Sequence, residues 1–282
     1  MAPPGRGGYS AVMKDDPDRW FDACVERLTD PQNLRVWSII VSVFGDLAQG
    51  SGDRLSGGAL TRIIGPMGIK PEAIRVALHR LRKDGWLQSE RTGRESQHFL
   101  TGFGRAQSAA VTPRIYTRMP DAAADWHVLI ADEAAGIQTL DDLLLTENHI
   151  SIARNVALGA GAVPGNTDDI LAFAVTPRAV PDWMKSRVCP PDLCRACRSL
   201  LDDLVAAADL LTPMPAPTRL QSATLRTLIV HRWRRVVLRH ADLPAAYFPD
   251  DWPGPACREQ VFRLLDVLPC PPLPALEAEC AV

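Results

Sequence analysis

Between residues 34 and 48 the chain is apolar on nearly every side. Leu34, Val36, Trp37, Ile39, Ile40, Val41, Val43, Phe44 and Leu47 leave no polar stripe, which predicts a buried helix. Trp20, Phe21, Val25 and Leu28 before it follow helical spacing over about 17–28, and Asp30-Pro31 marks a helix start. After the loop Gly50–Asp53, Ser56 is placed to cap a second helix whose Leu60, Ile63, Ile64 and Met67 keep the i, i+3, i+4, i+7 rule. Gly65-Pro66 and Gly68 stop it. Lys70-Pro71 opens a third helix with an inner stripe of Ile74, Leu78 and Leu81, ended by Gly85. The period then changes from helical to extended. Residues 86–91 and 96–100 read as paired strands, and the turn 92–95 carries Gly93, free to take positive φ. Three helices followed by a hairpin with a basic tip is the pattern of a winged helix-turn-helix.

Thr101 can cap a further helix to about Tyr116, and Pro113, Pro120 and the polar stretch 121–125 suggest a boundary. Beyond it, 126–131, 150–158 and 171–175 read as strands and 139–145 as a helix, the mixture of a small α+β domain. The last third reads as helices at 194–211, 224–240 and 256–268, followed by a Pro-rich tail. The expected organisation is α+β throughout. A flexible N-terminal arm with a short helix covers 1–31, a winged helix-turn-helix domain 32–118, an α+β domain 119–188 and a helical effector or dimerisation domain 189–282.

Charge sharpens this picture. The chain carries a net −2, but residues 70–118 sum to +6, against −1 for 1–69 and −7 for 119–282. A basic module on an acidic remainder suits docking of one face on a polyanion such as double-stranded DNA. The third helix supplies the candidates. Arg75, His79 and Arg82 recur at i, i+4 and i+7, opposite the apolar stripe. Lys70, Arg75, Val76 and His79 are placed to meet base edges, and Arg82 and Lys83 to touch phosphate; the alternative is a helix face that these charges merely solvate. Arg80 sits near the inner side, where an intramolecular ion pair is expected. At the hairpin tip Arg91 and Arg94 either enter a minor groove and touch phosphate or make a soluble turn.

Seven cysteines, an N-terminus without an apolar core and no long apolar run point to a cytoplasmic chain without a membrane segment or a disulfide framework. The spacing Cys189-x4-Cys194-x2-Cys197 invites a structural zinc reading, but no fourth ligand lies nearby in sequence; ordinary thiols are the better of the two readings, and no metal and no cofactor is expected. There is no Walker loop, Gly-x-Ser-x-Gly elbow or His-Glu-x-x-His pair, so no catalytic residue is assigned and the chain is not read as an enzyme. His231, Arg232, Arg234 and Arg235 could grip a phosphate group or serve an interdomain or dimer salt-bridge network. Trp126 and Arg154 are the other candidates for an effector pocket, with core packing the competing role for Trp126.

Two separated blocks carry a family resemblance. VWSIIVSVFGDLA with AIRVALHRLRKDGWLQSERTGRESQHFLTGFGR is similar to the N-terminal module of the PaaX-type repressors of phenylacetate catabolism. LIVHRWRRVVLRHADLPAAYFPDDWPG resembles their C-terminal module, with its His-x-x-Arg-Arg helix, Asp-x-Leu-Pro and Asp-Trp-Pro-Gly. The likeness covers most of residues 32–270. It is weakest around 126–175, where the chain reads ISIARNVALG in place of a strand bearing glycine and tryptophan. The resemblance implies a winged helix, a ferredoxin-like middle domain and a helical C-terminal domain. It also implies a homodimer on a palindrome-like operator and release of DNA by an aromatic acyl-CoA such as phenylacetyl-CoA. The competing reading is an enzyme or small-molecule-binding protein that uses its winged helix for protein contacts.

Overall fold

A computed structural model describes residues 18–93, 95–120, 125–144, 149–163, 165, 168–176, 179–212, 216–240 and 243–281. The architecture is α+β. The chain divides into two compact units, each assembled from separated stretches: 1–116, 199–234 and 256–282 form the first, and 117–198 with 235–255 the second. The C-terminal third, expected as one helical domain, is thus shared between both.

The first unit opens with α1 (Arg19–Leu28) and α2 (Val36–Leu47). α2 is buried on nearly all sides, as its largely apolar sequence requires, with Ile39, Ile40, Val43 and Phe44 fully enclosed. A short strand β1 (Leu55–Ser56) leads into α3 (Gly57–Ile64), where the Ser56 hydroxyl accepts from Ala59 N at 2.9 Å and satisfies one of the orphan donors of the first turn. α4 (Pro71–Lys83) starts with its proline at the first helical position and buries Ile74, Ala77, Leu78 and Leu81. Its exit passes through Gly85 at φ +74°, a left-handed conformation that favours glycine.

The hairpin β2 (Leu87–Thr92) and β3 (Glu95–Leu100) follows, each strand one residue closer to the turn than the sequence pattern suggests. Thr92 faces Glu95, and Gly93 at φ +66° supplies the positive dihedral that so short a connection demands. β3 lies centrally in a three-stranded antiparallel sheet, order β1-β3-β2. Thr101 accepts from Gly104 N at 2.9 Å and caps α5 (Gly102–Tyr116).

In the second unit, β4 (Trp126–Ala131), β5 (His149–Ala153), β6 (Val156–Ala160) and β7 (Ile170–Ala174) form an antiparallel sheet ordered β5-β6-β4-β7. α6 (Ile137–Leu144) packs Leu140 against Leu129, Ala131, Ala157 and Ile170 on one face. The expected single strand 150–158 is two strands, because Arg154-Asn155 turns the chain within the apolar run.

The remaining helices are α7 (Asp182–Val188), α8 (Pro191–Leu211), α9 (Arg219–Val237), α10 (Gly254–Val267) and α11 (Leu273–Ala281). α8 and α9 begin three and five residues earlier than the pattern suggests. The Pro-rich tail ends in α11, whose prolines fall at the helix entry and whose Leu276 is fully buried.

The first unit's core is knit by buried side chain to backbone bonds. Trp233 Nε1 donates to Ile115 O at 3.0 Å and Thr224 Oγ1 to Ile63 O at 2.9 Å. Glu277 of α11 accepts from Ser56 N at 2.7 Å, at the entry to α3.

Candidate nucleic-acid interface

α4 separates its two faces cleanly. Ile74, Ala77, Leu78 and Leu81 are buried, while Lys70, Glu72, Arg75, Val76, His79, Arg80, Arg82 and Lys83 are exposed. Glu72, Arg75, Val76, His79, Arg82 and Lys83 recur at three- and four-residue steps and share one side of the helix. Val76 is an apolar side chain 70% exposed in the middle of this polar face. Arg75 Nη1 lies 3.5 Å from Glu72 Oε1 with both side chains open to water. Such a pair is worth about 0–1 kcal/mol, so the guanidinium is available to a stronger partner at small cost. Lys70, His79, Arg82 and Lys83 have no carboxylate partner among the described residues. Arg80 makes the expected intramolecular pair, with Asp84 at 3.5 Å, and lies 5.6 Å from the Trp37 ring, but its side chain is exposed and not on the inner side.

The hairpin beside α4 is braced at its base. Ser89 Oγ and the buried His98 Nδ1 are hydrogen-bonded at 2.6 Å. Burial, and then the nearby positive charge of Arg82, hold the His98 pKa down at about 4, so this imidazole is neutral at pH 7. Arg54 stacks over Phe99 at 4.2 Å and pairs with Glu90 at 3.0 Å, covering the outer surface of β3 and β2. Arg91 is exposed at the tip, its Nε donating to Gly93 O at 3.3 Å. The other tip candidate, Arg94, lies outside the described residues.

The sequence of this region matches the family described as "PaaX-like protein" over residues 35–104, and its C-terminal domain family matches over 191–268. The chain belongs to the PaaX-like family. The transcriptional repressor PaaX of Escherichia coli (strain K12) is 25% identical over an alignment 270 positions long that covers 86% of this chain and 84% of that protein. Among solved structures, the uncharacterized protein Rv0674 from Mycobacterium tuberculosis shares the fold at a TM-score of 0.52. The match is 18% identical and covers 87% of this chain and 98% of that one.

In this PaaX-like chain the six effector candidates divide between the two units, with His231, Arg232 and Arg234 in the first and Trp126, Arg154 and Arg235 in the second. Trp126 is buried and stacks on Tyr247, ring centroids 5.4 Å apart and 21° from parallel. Arg154 is exposed at the turn between β5 and β6. Arg232 is buried, donating to Asp203 at 2.8 Å and to Leu28 O at 3.3 Å. His231 is buried with its Nδ1 3.1 Å from Ser42 Oγ, and Arg234 Nη1 donates to the same oxygen at 3.2 Å. Arg235 is half-buried and belongs to the second unit. Successive helical residues are about 100° apart, so Arg232 and Arg234 leave α9 in nearly opposite directions. Ser42 gathers His231 and Arg234, and Arg232 stands apart with Asp203.

Two polar features had no local signal in the sequence. Asp46 on α2 accepts from Arg226 Nε and Nη2, both at 2.9 Å, and from the Tyr116 hydroxyl at 2.6 Å. Burial and the adjacent Asp46 carboxylate push the Tyr116 phenol far up, so it stays protonated. In the second unit, His127 and His149 meet Nε2 to Nε2 at 3.1 Å above Gly159, the residue that both face in the sheet register. Burial, and then His127, lower the pKa of His149. Among the described residues no group of three or more His, Cys, Asp or Glu is arranged to hold a metal ion.

Proposed function

We propose that the protein is a DNA-binding transcription regulator of the repressor type, working in the cytoplasm as a homodimer. α3 and α4 serve as the helix-turn-helix, and the β2–β3 hairpin serves as the wing. The observation that carries this reading is the exposed side of α4, where Arg75, His79, Arg82 and Lys83 stand opposite a fully buried apolar stripe. The N-cap Lys70 and the exposed Arg75, Val76 and His79 of α4 meet base edges in a major groove, and Arg82, Lys83 and the tip arginines Arg91 and Arg94 grip phosphate. The name of the Escherichia coli relative supports the repressor assignment. The sheet order β5-β6-β4-β7 supports a ferredoxin-like arrangement of the middle segment. In the usual β-α-β-β-α-β scheme a second helix would precede the last strand. Here only nine residues join β6 to β7.

The ligand reading rests on the family: an aromatic acyl-CoA, phenylacetyl-CoA in particular, binds the DNA-incompetent state more tightly and releases the operator. A mobility-shift titration on the protein's own promoter tests both parts. Affinity should fall steeply between 50 and 200 mM salt, on the order of 10³-fold or more for six or more phosphate contacts. Arg75→Ala should cost about 1–3 kcal/mol and relax specificity. Unchanged binding in Arg75→Ala would remove α4 from the interface. Absence of any mobility or thermal response to acyl-CoA esters would remove the effector.

A further inference from the structure

We propose that the first unit contains a site for a carboxylate-sized anion, built on Arg234 in the small cavity between α2, α5 and α9. This site is independent of the acyl-CoA reading, because it concerns an anion far smaller than a coenzyme.

The charges of the region lead to it. Arg226 is answered by Asp46, and Arg232 by Asp203. Arg234 has no carboxylate partner among the described residues; its hydrogen bond there is to Ser42 Oγ at 3.2 Å. Ser42 cannot neutralise it. That hydroxyl has one proton, directed at Ser38 O 3.0 Å away, and it is already shared with His231 Nδ1. Arg234 is therefore a largely enclosed guanidinium with no counter-charge, and burial lowers its pKa accordingly. Enclosed charges are ordinarily paired or ligand-bound, since an uncompensated one is strongly destabilising.

The cavity supplies a second, independent observation. Ser108, 5% exposed, lines the same space as Arg234, and its buried Oγ has no hydrogen-bond partner. Ser108 is not held open by a competing bond: Thr112 Oγ1 bonds the Ser108 carbonyl instead, at 2.8 Å. A guanidinium and an unused hydroxyl thus border one space, with Gln107 beside them and Val41, Val111 and Val230 as apolar walls. The space is about 30 Å³. A single water needs roughly 10–15 Å³ by this measure, so there is room for two oxygens and the carbon that joins them. Water could satisfy Ser108, but it brings no charge to Arg234. A carboxylate does both, taking N–H donors of the guanidinium on one side and the seryl O–H on the other.

The test uses the full-length protein and formate or acetate as the probe, with the bulky sulfonate MES at equal ionic strength as the control. Thermal melts and a titration of 13C-labelled formate followed by NMR are read together. The NMR titration should saturate, and formate should raise the folding equilibrium constant in proportion to 1 + [formate]/Kd, roughly elevenfold at ten times its Kd, while MES does neither. Arg234→Met should melt at or above the wild-type temperature without formate and lose the formate response. Ser108→Ala removes an unpartnered hydroxyl, so it should fold normally yet bind formate several-fold more weakly. It decides the matter if Arg234→Met fails to fold. An equal response to formate and MES, a saturable response retained in Arg234→Met, or undiminished binding in Ser108→Ala would each overturn the site. DNA binding, measured on the same preparations, reports separately on the regulator reading.

Discussion

The ion pair between Asp46 and Arg226 offers a quantitative test of how the first unit is held together. The side chains are 1% and 9% exposed, and the carboxylate takes two guanidinium bonds at 2.9 Å plus the Tyr116 hydroxyl at 2.6 Å. Arg226 also reaches a second element. Its Nη1 donates to Leu268 O at 2.7 Å and Leu265 O at 3.4 Å, the carbonyls left over where α10 ends. One residue of α9 therefore fastens α2, through Asp46, to the C-terminus of α10. Replacing Asp46 by Leu leaves a buried guanidinium answered only by those carbonyls, which bear the negative end of a helix dipole. Replacing Arg226 by Met leaves a buried carboxylate with one phenol for a partner. Breaking a buried pair from one side costs about 3–5 kcal/mol. Asp46→Leu should fall near the low end because of the α10 carbonyls, and Arg226→Met higher. In the double variant no charge is stranded, and the Tyr116 hydroxyl and the α10 carbonyls are the groups left short, at about 1–3 kcal/mol. It should therefore lose no more than either single variant, a coupling energy of at least about 3 kcal/mol in magnitude. Urea denaturation at pH 7, followed by tryptophan fluorescence, measures this through the shift of the midpoint at constant m. Strictly additive losses, or an Asp46→Leu cost below about 1 kcal/mol, would show that the pair carries no such energy.

Other expectations follow from single contacts. A Cβ at Gly104 would sit 2.3 Å from the Trp86 carbonyl oxygen, so Gly104→Ala must displace the strand entry to the hairpin. It should cost about 1–3 kcal/mol in a thermal melt and weaken DNA binding in a mobility shift; a neutral substitution would refute the contact. His98 is held neutral down to about pH 4, against 6.5 when unfolded, so its contribution is complete above pH 6.5 and is lost as pH falls toward 4. His98→Asn should flatten that part of the stability profile, and parallel profiles would count against it. Tyr116 is shifted the other way, so stability should decline once pH rises past 10, where the unfolded phenol ionises. Tyr116→Phe should abolish this component of alkaline unfolding, as read by circular dichroism. At Gly159 an added methyl would lie 2.1 Å from His127 Nε2 and 2.6 Å from His149 Cδ2. Gly159→Ala should lower the melting temperature, with partial recovery on adding His149→Ala; no recovery would mean that the clash is not with that ring.

These contacts also explain what could be read from the chain alone. α4 was legible because its information is local: Pro71 opens it, Gly85 ends it, and Ile74, Leu78 and Leu81 mark the buried side at helical spacing. The hairpin was legible for the same reason, since Gly93 and the change of period lie within a dozen residues. The β5–β6 pair was hidden because its strands read as one apolar run, and the polar Arg154-Asn155 that turns the chain is short enough to look like an edge position. α11 was hidden by prolines, which mark a helix entry as readily as an irregular tail. The basic cluster at 231–235 divides for a geometric reason. Proximity along a helix is not convergence, and a rotation of about 100° per residue sends Arg232 to Asp203 while Arg234 goes to Ser42. Asp46 and Arg226 are 180 residues apart, and nothing in either neighbourhood names the other. A buried charge is only half a statement until its partner is known. For Arg226 the partner is a carboxylate of the same chain, and for Arg234 the space beside it, bordered by an idle hydroxyl, fits an anion brought from outside.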